Sequence, residues 1–190
     1  DFLERIVSAY EGGAGDRGLS AGPEMARSFM PPSSAAARDF WSMSPEIPEF
    51  VAESCAGCKE CVTECPDSAT LARVMPEPQL AESLERIHDP GDRAFVESLW
   101  ARPKKYGENF EKRGAVPGRF GIFVDPAKCK GCVECVTVCG DRAALRMIPK
   151  TEAVRSKYRA AFAFHRSLGP TPKEYILDRS LMDMMLHEPS

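Results

Sequence analysis

The chain has 190 residues, 43 % of them hydrophobic, and a formal net charge of −3. That length admits one domain with extensions, the mild charge gives no basic footprint for nucleic acid, and no apolar run reaches the roughly 20 residues of a membrane helix. The opening residues, DFLERIVSAY, are charged and amphipathic, unlike a secretory signal, and an initiator Met is missing. The expectation is a piece of a longer polypeptide in the reducing cytoplasm.

Residues 2–10 read as a short helix with Phe2, Ile6 and Tyr10 on one face. From Glu11 to Pro45 the chain is rich in Gly, Ser and Pro, so residues 1–45 read as a helix plus a linker or surface strap. The Gly-rich stretch at 12–18 has no GK[ST] after it and no strand before it, which argues against a phosphate loop. A first half-unit then runs from Pro48 to Met75: EFVAES leads as a strand, a cysteine loop follows, and ATLARVM returns as a strand. A second runs from Arg119 to Ile148, with RFGIFVD leading and AALRMI returning.

Between them lies an insertion, about residues 76–118, with helical signals. Leu80, Leu84 and Ile87 form one stripe; Phe95, Leu99 and Trp100 form another after an Asp89-Pro90 start. Both are read as packed faces. The run at 101–113, ARPKKYGENFEKR, reads as a solvated face, with a docking patch for an acidic electron carrier as the sharper alternative. Residues 46–149 thus form one domain, and residues 150–190 a helical extension. In that extension Val154, Tyr158, Phe162 and His165 share a face, Gly169-Pro170 ends the helix, and Thr171-Pro172 with Glu174 starts another. The Met-rich tail LMDMMLHE is expected to dock on something.

The eight cysteines carry the chemistry. Cys55, Cys58, Cys61 and Cys65 have the spacing C-x2-C-x2-C-x3-C, and so do Cys129, Cys132, Cys135 and Cys139. A shift of 74 positions lays one run on the other, with 11 of the 17 residues from Cys55 to Leu71 identical. Such a repeat means a duplicated unit holding two inorganic centres. Disulfide frameworks are spaced irregularly in secreted chains, and structural zinc sites use separated C-x2-C pairs. Two [4Fe–4S] clusters are the expected cofactors, and electron transfer the expected chemistry.

Three cysteines from one tight loop line one side of a cube, with Gly57 and Gly131 allowing close approach or a positive φ, and backbone N–H groups aimed at sulfur. The residues before the fourth cysteine tend to be helical, so it ligates the other cluster. The expected ligand sets are Cys55, Cys58, Cys61 and Cys139 for the first cluster, and Cys129, Cys132, Cys135 and Cys65 for the second. The fold class expected is α+β, a two-cluster bacterial ferredoxin-like fold of pseudo-twofold half-units, with a long helical insertion and helical N- and C-terminal extensions. The half-units alone offer about 60 residues, marginal for a core, so the cluster region is expected to unfold without iron. His88, His165 and His187 are read as surface or interface residues rather than ligands, and no catalytic residue is proposed.

PEIPEF (45–50), TECPDSA (63–69) and CKGCVECVTVC (129–139), together with the long insertion, resemble the ferredoxin-like domain of pyruvate:ferredoxin oxidoreductase and related 2-oxoacid oxidoreductases. DRSLMDMMLHE (178–188) resembles the segment leading into the thiamine-diphosphate domain of single-chain members. The resemblance covers about residues 40–149. It implies an enzyme that decarboxylates a 2-oxo acid to acyl-CoA and passes electrons to external ferredoxin or flavodoxin, this chain supplying the two clusters on the exit side. Thiamine diphosphate, coenzyme A, a third cluster and the catalytic domains or subunits would lie outside it, within a larger oligomer. The isolated chain is then not catalytic. One departure is Gly140 after Cys139, where the family has Pro, as at Cys65-Pro66. The alternative from the residues alone is a freestanding two-cluster ferredoxin, or a ferredoxin-like subunit of a hydrogenase or dehydrogenase.

Overall fold

The computed structural model describes residues 4, 7–13, 39–176 and 181–186. The chain divides into two compact units, Asp1–Asp39 and Phe40–Ser190. In the first, a single helical turn, α1 (Ser8–Glu11), overlaps the end of the helix expected at 2–10. Phe2, Ile6 and linker residues 14–38 lie outside the described residues.

The second unit mixes helix and strand. Strand β1 (Glu46–Phe50) is followed after Cys55 by a helical turn, α2 (Glu60–Thr63), and by β2 (Thr70–Pro76). The insertion contains α3 (Glu77–Leu84), α4 (Pro90–Ser98), the short β3 (Trp100–Ala101) and α5 (Glu108–Glu111). Then come β4 (Gly118–Val124), α6 (Glu134–Cys139), β5 (Leu145–Pro149), the long α7 (Glu152–Ser167) and α8 (Leu181–Met184).

β1 pairs antiparallel with β5, and β2 with β4. Each pair joins the lead strand of one half-unit to the return strand of the other, so neither half has a sheet of its own. Shifting by 74 carries Glu46 onto Phe120 and Pro149 back onto Met75, whereas Phe120 pairs with Val74. The pairings therefore agree to within one residue. The missing residue is local: β2 begins five positions after Cys65, and β5 begins six after Cys139. The longer turn places Gly140 at φ +54° and Ala143 at +48°, against Ser68 alone at +49° in the first. Proline is fixed near −65°, so it cannot stand where Gly140 stands.

The insertion is not wholly helical. Trp100 pairs with Gly121, and β3 widens the β2–β4 ladder to three strands. Trp100 thus leaves the predicted helical stripe: α4 stops at Ser98, and the Trp100 ring packs edge-on against Phe123 at 5.4 Å. Leu80 and Leu84 are buried on α3 as expected, and Asp89 caps α4 by accepting a bond from the Asp92 N–H at 2.7 Å.

α7 follows the Thr151 cap and packs on β4 and α4. Its buried face is Tyr158, Ala161, Phe164 and His165, with Phe162 half-buried. His165 is therefore a core residue, 2 % exposed, with its ring 4.8 Å from that of Phe123 and Nε2 3.4 Å from the Arg73 guanidinium. The helix expected from Thr171 is only a short 3-10 turn (Lys173–Tyr175), because the Thr171 hydroxyl accepts a bond from the Val74 N–H at 3.1 Å instead of capping. With Arg73 donating to the Gly169 carbonyl at 3.0 Å, this segment covers the free edge of β2.

The Tyr158 hydroxyl donates to the Pro48 carbonyl at 2.9 Å in the buried seam between α7 and β1. Tyr158→Phe is expected to lower unfolding free energy by about 1 kcal/mol, since that carbonyl loses its donor. Anaerobic urea denaturation monitored by circular dichroism checks this.

Candidate functional site

Both cysteine loops turn through left-handed residues before a helix begins. Gly57 (φ 72°) and Lys59 (71°) precede α2; Gly131 (68°) and Val133 (71°) precede α6. The glycines are where the repeat suggested them, and each is also close to a neighbour. A Cβ on Gly57 would lie 3.0 Å from Pro103 Cγ, and one on Gly131 would collide with Ser44 Oγ and lie 2.9 Å from the Glu46 carbonyl. Lys59 and Val133 occupy equivalent positions in the repeat. A left-handed Lys or branched Val costs roughly 1–2 kcal/mol, and such strain persists only where the surroundings impose it.

The loops enclose two cavities. Cys55, Cys58, Cys61 and Cys139 line one. Cys129, Cys132, Cys135 and Cys65 line the other. Each receives three sulfurs from its own loop and one from the other half-unit. All eight are free thiols. Among the described residues no three Cys, His, Asp or Glu side chains converge closely enough to hold a single metal ion; the sulfurs are spread around the cavity walls.

Backbone donors point at the sulfurs. The Gly57 N–H donates to Cys55 Sγ at 3.4 Å, and the Ala69 N–H to Cys65 Sγ at 3.2 Å. Burial pushes the Cys55 thiol up to about 11, with the Gly57 N–H working against it. Burial likewise raises Cys135 to about 12, with Cys129, Cys65 and Cys132 adding to it, and lifts Cys61 and Cys129. These thiols hold their protons until a cation displaces them. An all-sulfur donor set in an enclosed space fits a thiolate-ligated iron–sulfur cluster.

Two ion pairs cross between the half-units beside the loops. Arg142 reaches Glu60 at 3.1 Å and Cys58 Sγ at 3.4 Å, and Lys130 meets Asp67 at 2.6 Å. A third cluster of charge lies under the first loop. The Lys59 ammonium, 1 % exposed, donates to Asp183 Oδ1 at 2.5 Å and to the Tyr106 hydroxyl at 3.1 Å. Lys105 donates to the same Asp183 oxygen at 2.6 Å. Burial works to raise the Asp183 carboxyl, but hydrogen bonds from Lys105 and Lys59 outweigh it and hold the group below its ordinary value. For Lys59 burial dominates and pulls the ammonium below the usual lysine range.

The segment at 101–113 is therefore not simply a solvated face. Tyr106 and Phe110 are buried, stacking on Phe120 at 5.7 Å and Tyr175 at 4.7 Å, while Arg102 is tied to Glu77 and Glu111. The Met-rich tail docks on its own chain, with Asp183 and Leu186 buried. His88 is exposed, and His187 lies outside the described residues. Sequence reasoning missed Lys59, Lys105 and Asp183; the one available signal was a lysine at position 59 where the repeat has Val133.

No protein-family model matches the chain. It is 28 % identical over 149 residues to a probable pyruvate-flavodoxin oxidoreductase of Escherichia coli (strain K12), covering 73 % of this chain and 10 % of that protein. It is 27 % identical over 175 residues to pyruvate-flavodoxin oxidoreductase of Klebsiella pneumoniae, covering 91 % of this chain and 13 % of that protein. The chain thus spans about a tenth of the length of these relatives. The similarity ties it to oxidoreductases. No helix among the described residues is long and apolar enough to cross a membrane.

The two left-handed glycines of the second half-unit separate strain from collision. Gly140 has open space where a Cβ would go, whereas Gly131 does not. Gly140→Ala is expected to cost about 1–3 kcal/mol from backbone strain alone, and Gly131→Ala about 2–4 kcal/mol from strain plus overpacking. Anaerobic denaturant unfolding of both variants compares the two costs.

Proposed function

We propose that this chain is an electron-relay segment of a 2-oxoacid oxidoreductase, acting on pyruvate through catalytic parts outside it. The observation that carries the reading is the pair of four-thiol cavities, each completed by a cysteine from the other half-unit. Cys55, Cys58, Cys61 and Cys139 would hold one [4Fe–4S] cluster; Cys129, Cys132, Cys135 and Cys65 the other. When bound, such clusters supply one-electron storage with no bond made or broken in the protein. The surrounding fold would be the two-cluster ferredoxin-like one, which the crossed strand pairing supports.

The chain's own residues do the rest. The loops bury Cys129 and Cys135 and partly cover the other sulfurs except Cys132, and the Gly57 and Ala69 N–H groups offset negative charge there. The two cavities differ in cover. Pro103 and Tyr106 press on the first loop, whereas Cys132 and Val133 of the second are exposed. We assign the second loop as the outward end, facing an external flavodoxin or ferredoxin. Two relatives with a similar stretch inside a much longer polypeptide support a segment over a freestanding carrier. Thiamine diphosphate, coenzyme A and a third cluster belong to the remainder of such an enzyme.

The crossed arrangement has a direct test. Cys65→Ser is expected to damage the cluster held by the second loop and spare the first, and Cys139→Ser the reverse, read by iron content and electron paramagnetic resonance of the reduced protein. Loss of the same-loop cluster in both variants would sink the crossed ligand sets. Chelation of iron is expected to melt both cysteine loops and the β1–β5 pair, while the β2–β4–β3 layer, packed on α7, retains protection in hydrogen exchange. Uniform protection before and after chelation would contradict this. At the level of the whole enzyme, native protein purified anaerobically is expected to carry thiamine diphosphate on a polypeptide or complex several times this length.

A further inference from the structure

Lys59 and Val133 stand at the same point of the duplicated loop, with the same φ of 71°. Their surroundings are opposite. Val133 is 39 % exposed, whereas Lys59 lies in the wall of the first cavity between Cys58 and Cys61, sealed from solvent. The loop therefore does not need a lysine for its shape. Burying an ammonium is costly unless it is paired, and the pairing here is incomplete: Lys59 and Lys105 share the single Asp183 carboxylate. Among the described residues, two positive charges against one negative leave this group with a net positive charge beside the first loop. Each loop also has one cation matched one to one, Arg142 by Glu60 beside the first and Lys130 by Asp67 beside the second, while Lys150, whose charge acts on Cys129, donates to the Trp41 carbonyl at 2.8 Å.

Resting on the two-cluster reading above, we infer that Lys59, Lys105 and Asp183 form a charge relay that sets the reduction potential of the first cluster, with α8 supplying the opposing carboxylate. A fixed positive charge in a poorly solvated wall favours the added electron, and a carboxylate there disfavours it. These are positioning residues; none ligates the cluster. Because Asp183 comes from the C-terminal segment, docking of that segment also lowers the potential that the two lysines would otherwise set.

The test uses the full chain, loaded anaerobically with iron and sulfide, and follows the two midpoint potentials by electron paramagnetic resonance during a redox titration. Lys59→Met, close in size, removes charge from the cavity wall; Asp183→Asn removes the opposing one. The expected result is a downward shift of one potential in Lys59→Met, an upward shift of that same potential in Asp183→Asn, and no movement of the other. A shift of about 59 mV corresponds to a tenfold change in the oxidised-to-reduced ratio for one electron, and that is the size sought. Shifts of the same sign would mark a merely structural role and overturn the inference, as would two unmoved potentials. Should Lys59→Met fail to take up iron, Lys105→Met, whose side chain is 31 % exposed and outside the loop, takes its place with the same expected sign. A wild-type chain that binds no iron and sulfide refutes the two-cluster reading itself, a result distinct from unmoved potentials.

Discussion

The exchange of strands and cysteines between the two half-units is the constraint on which the rest of the molecule depends. β1 reaches β5 and β2 reaches β4, so each ladder needs both copies of the repeat. The same exchange carries Cys139 to the first cavity and Cys65 to the second. The ion pairs Arg142–Glu60 and Lys130–Asp67 follow the same route. A half-unit alone would leave strand edges unpaired and each cavity one sulfur short. Duplication and closure are here a single requirement, which accounts for why the cysteine spacing is kept in both copies while the flanking residues have diverged.

That closure tolerates what is attached to it. The insertion leaves from β2 and returns to β4, two strands already hydrogen-bonded to each other, so the detour between Pro76 and Gly118 strains neither ladder. It adds to the sheet through β3, and supplies Pro103, Tyr106 and Lys105 as the cover of the first loop. α7 then closes the opposite side, with Tyr158 bonded to β1 and its ring 5.5 Å from that of Phe95. The buried surface is therefore far larger than two half-units could provide.

What was legible in the sequence followed from local rules. Cysteine spacing, Gly57 and Gly131, the lead and return strands, and the Asp89-Pro90 start all announce themselves within a few residues, because backbone geometry and ligand reach are short-range. What was hidden depended on partners far along the chain. Thr171 looked like a helix cap, but its hydroxyl goes to Val74. Trp100 continued a helical stripe, but Gly121 leaves room for its ring against β4. His165 and the charged run at 101–113 looked exposed because their composition is polar, yet Arg73, Tyr175 and Asp183 wait for them across the fold. The lead strand expected at EFVAES breaks after Phe50, where Ala52–Ser54 turn to aim Cys55 inward.

The divergence between copies of the repeat is then informative in its own right. Position for position the two loops keep the same left-handed turns, so differences in side chain at those turns answer to environment and not to backbone need. At one such position an aliphatic residue faces solvent; at the other an ammonium is sealed under a tyrosine and a carboxylate. A buried charge is the more expensive choice, and the same backbone conformation in the second loop accommodates valine. The lysine at this position is held by Asp183 and Tyr106, contacts that valine could not make, and it stands in the cavity wall in sequence between Cys58 and Cys61.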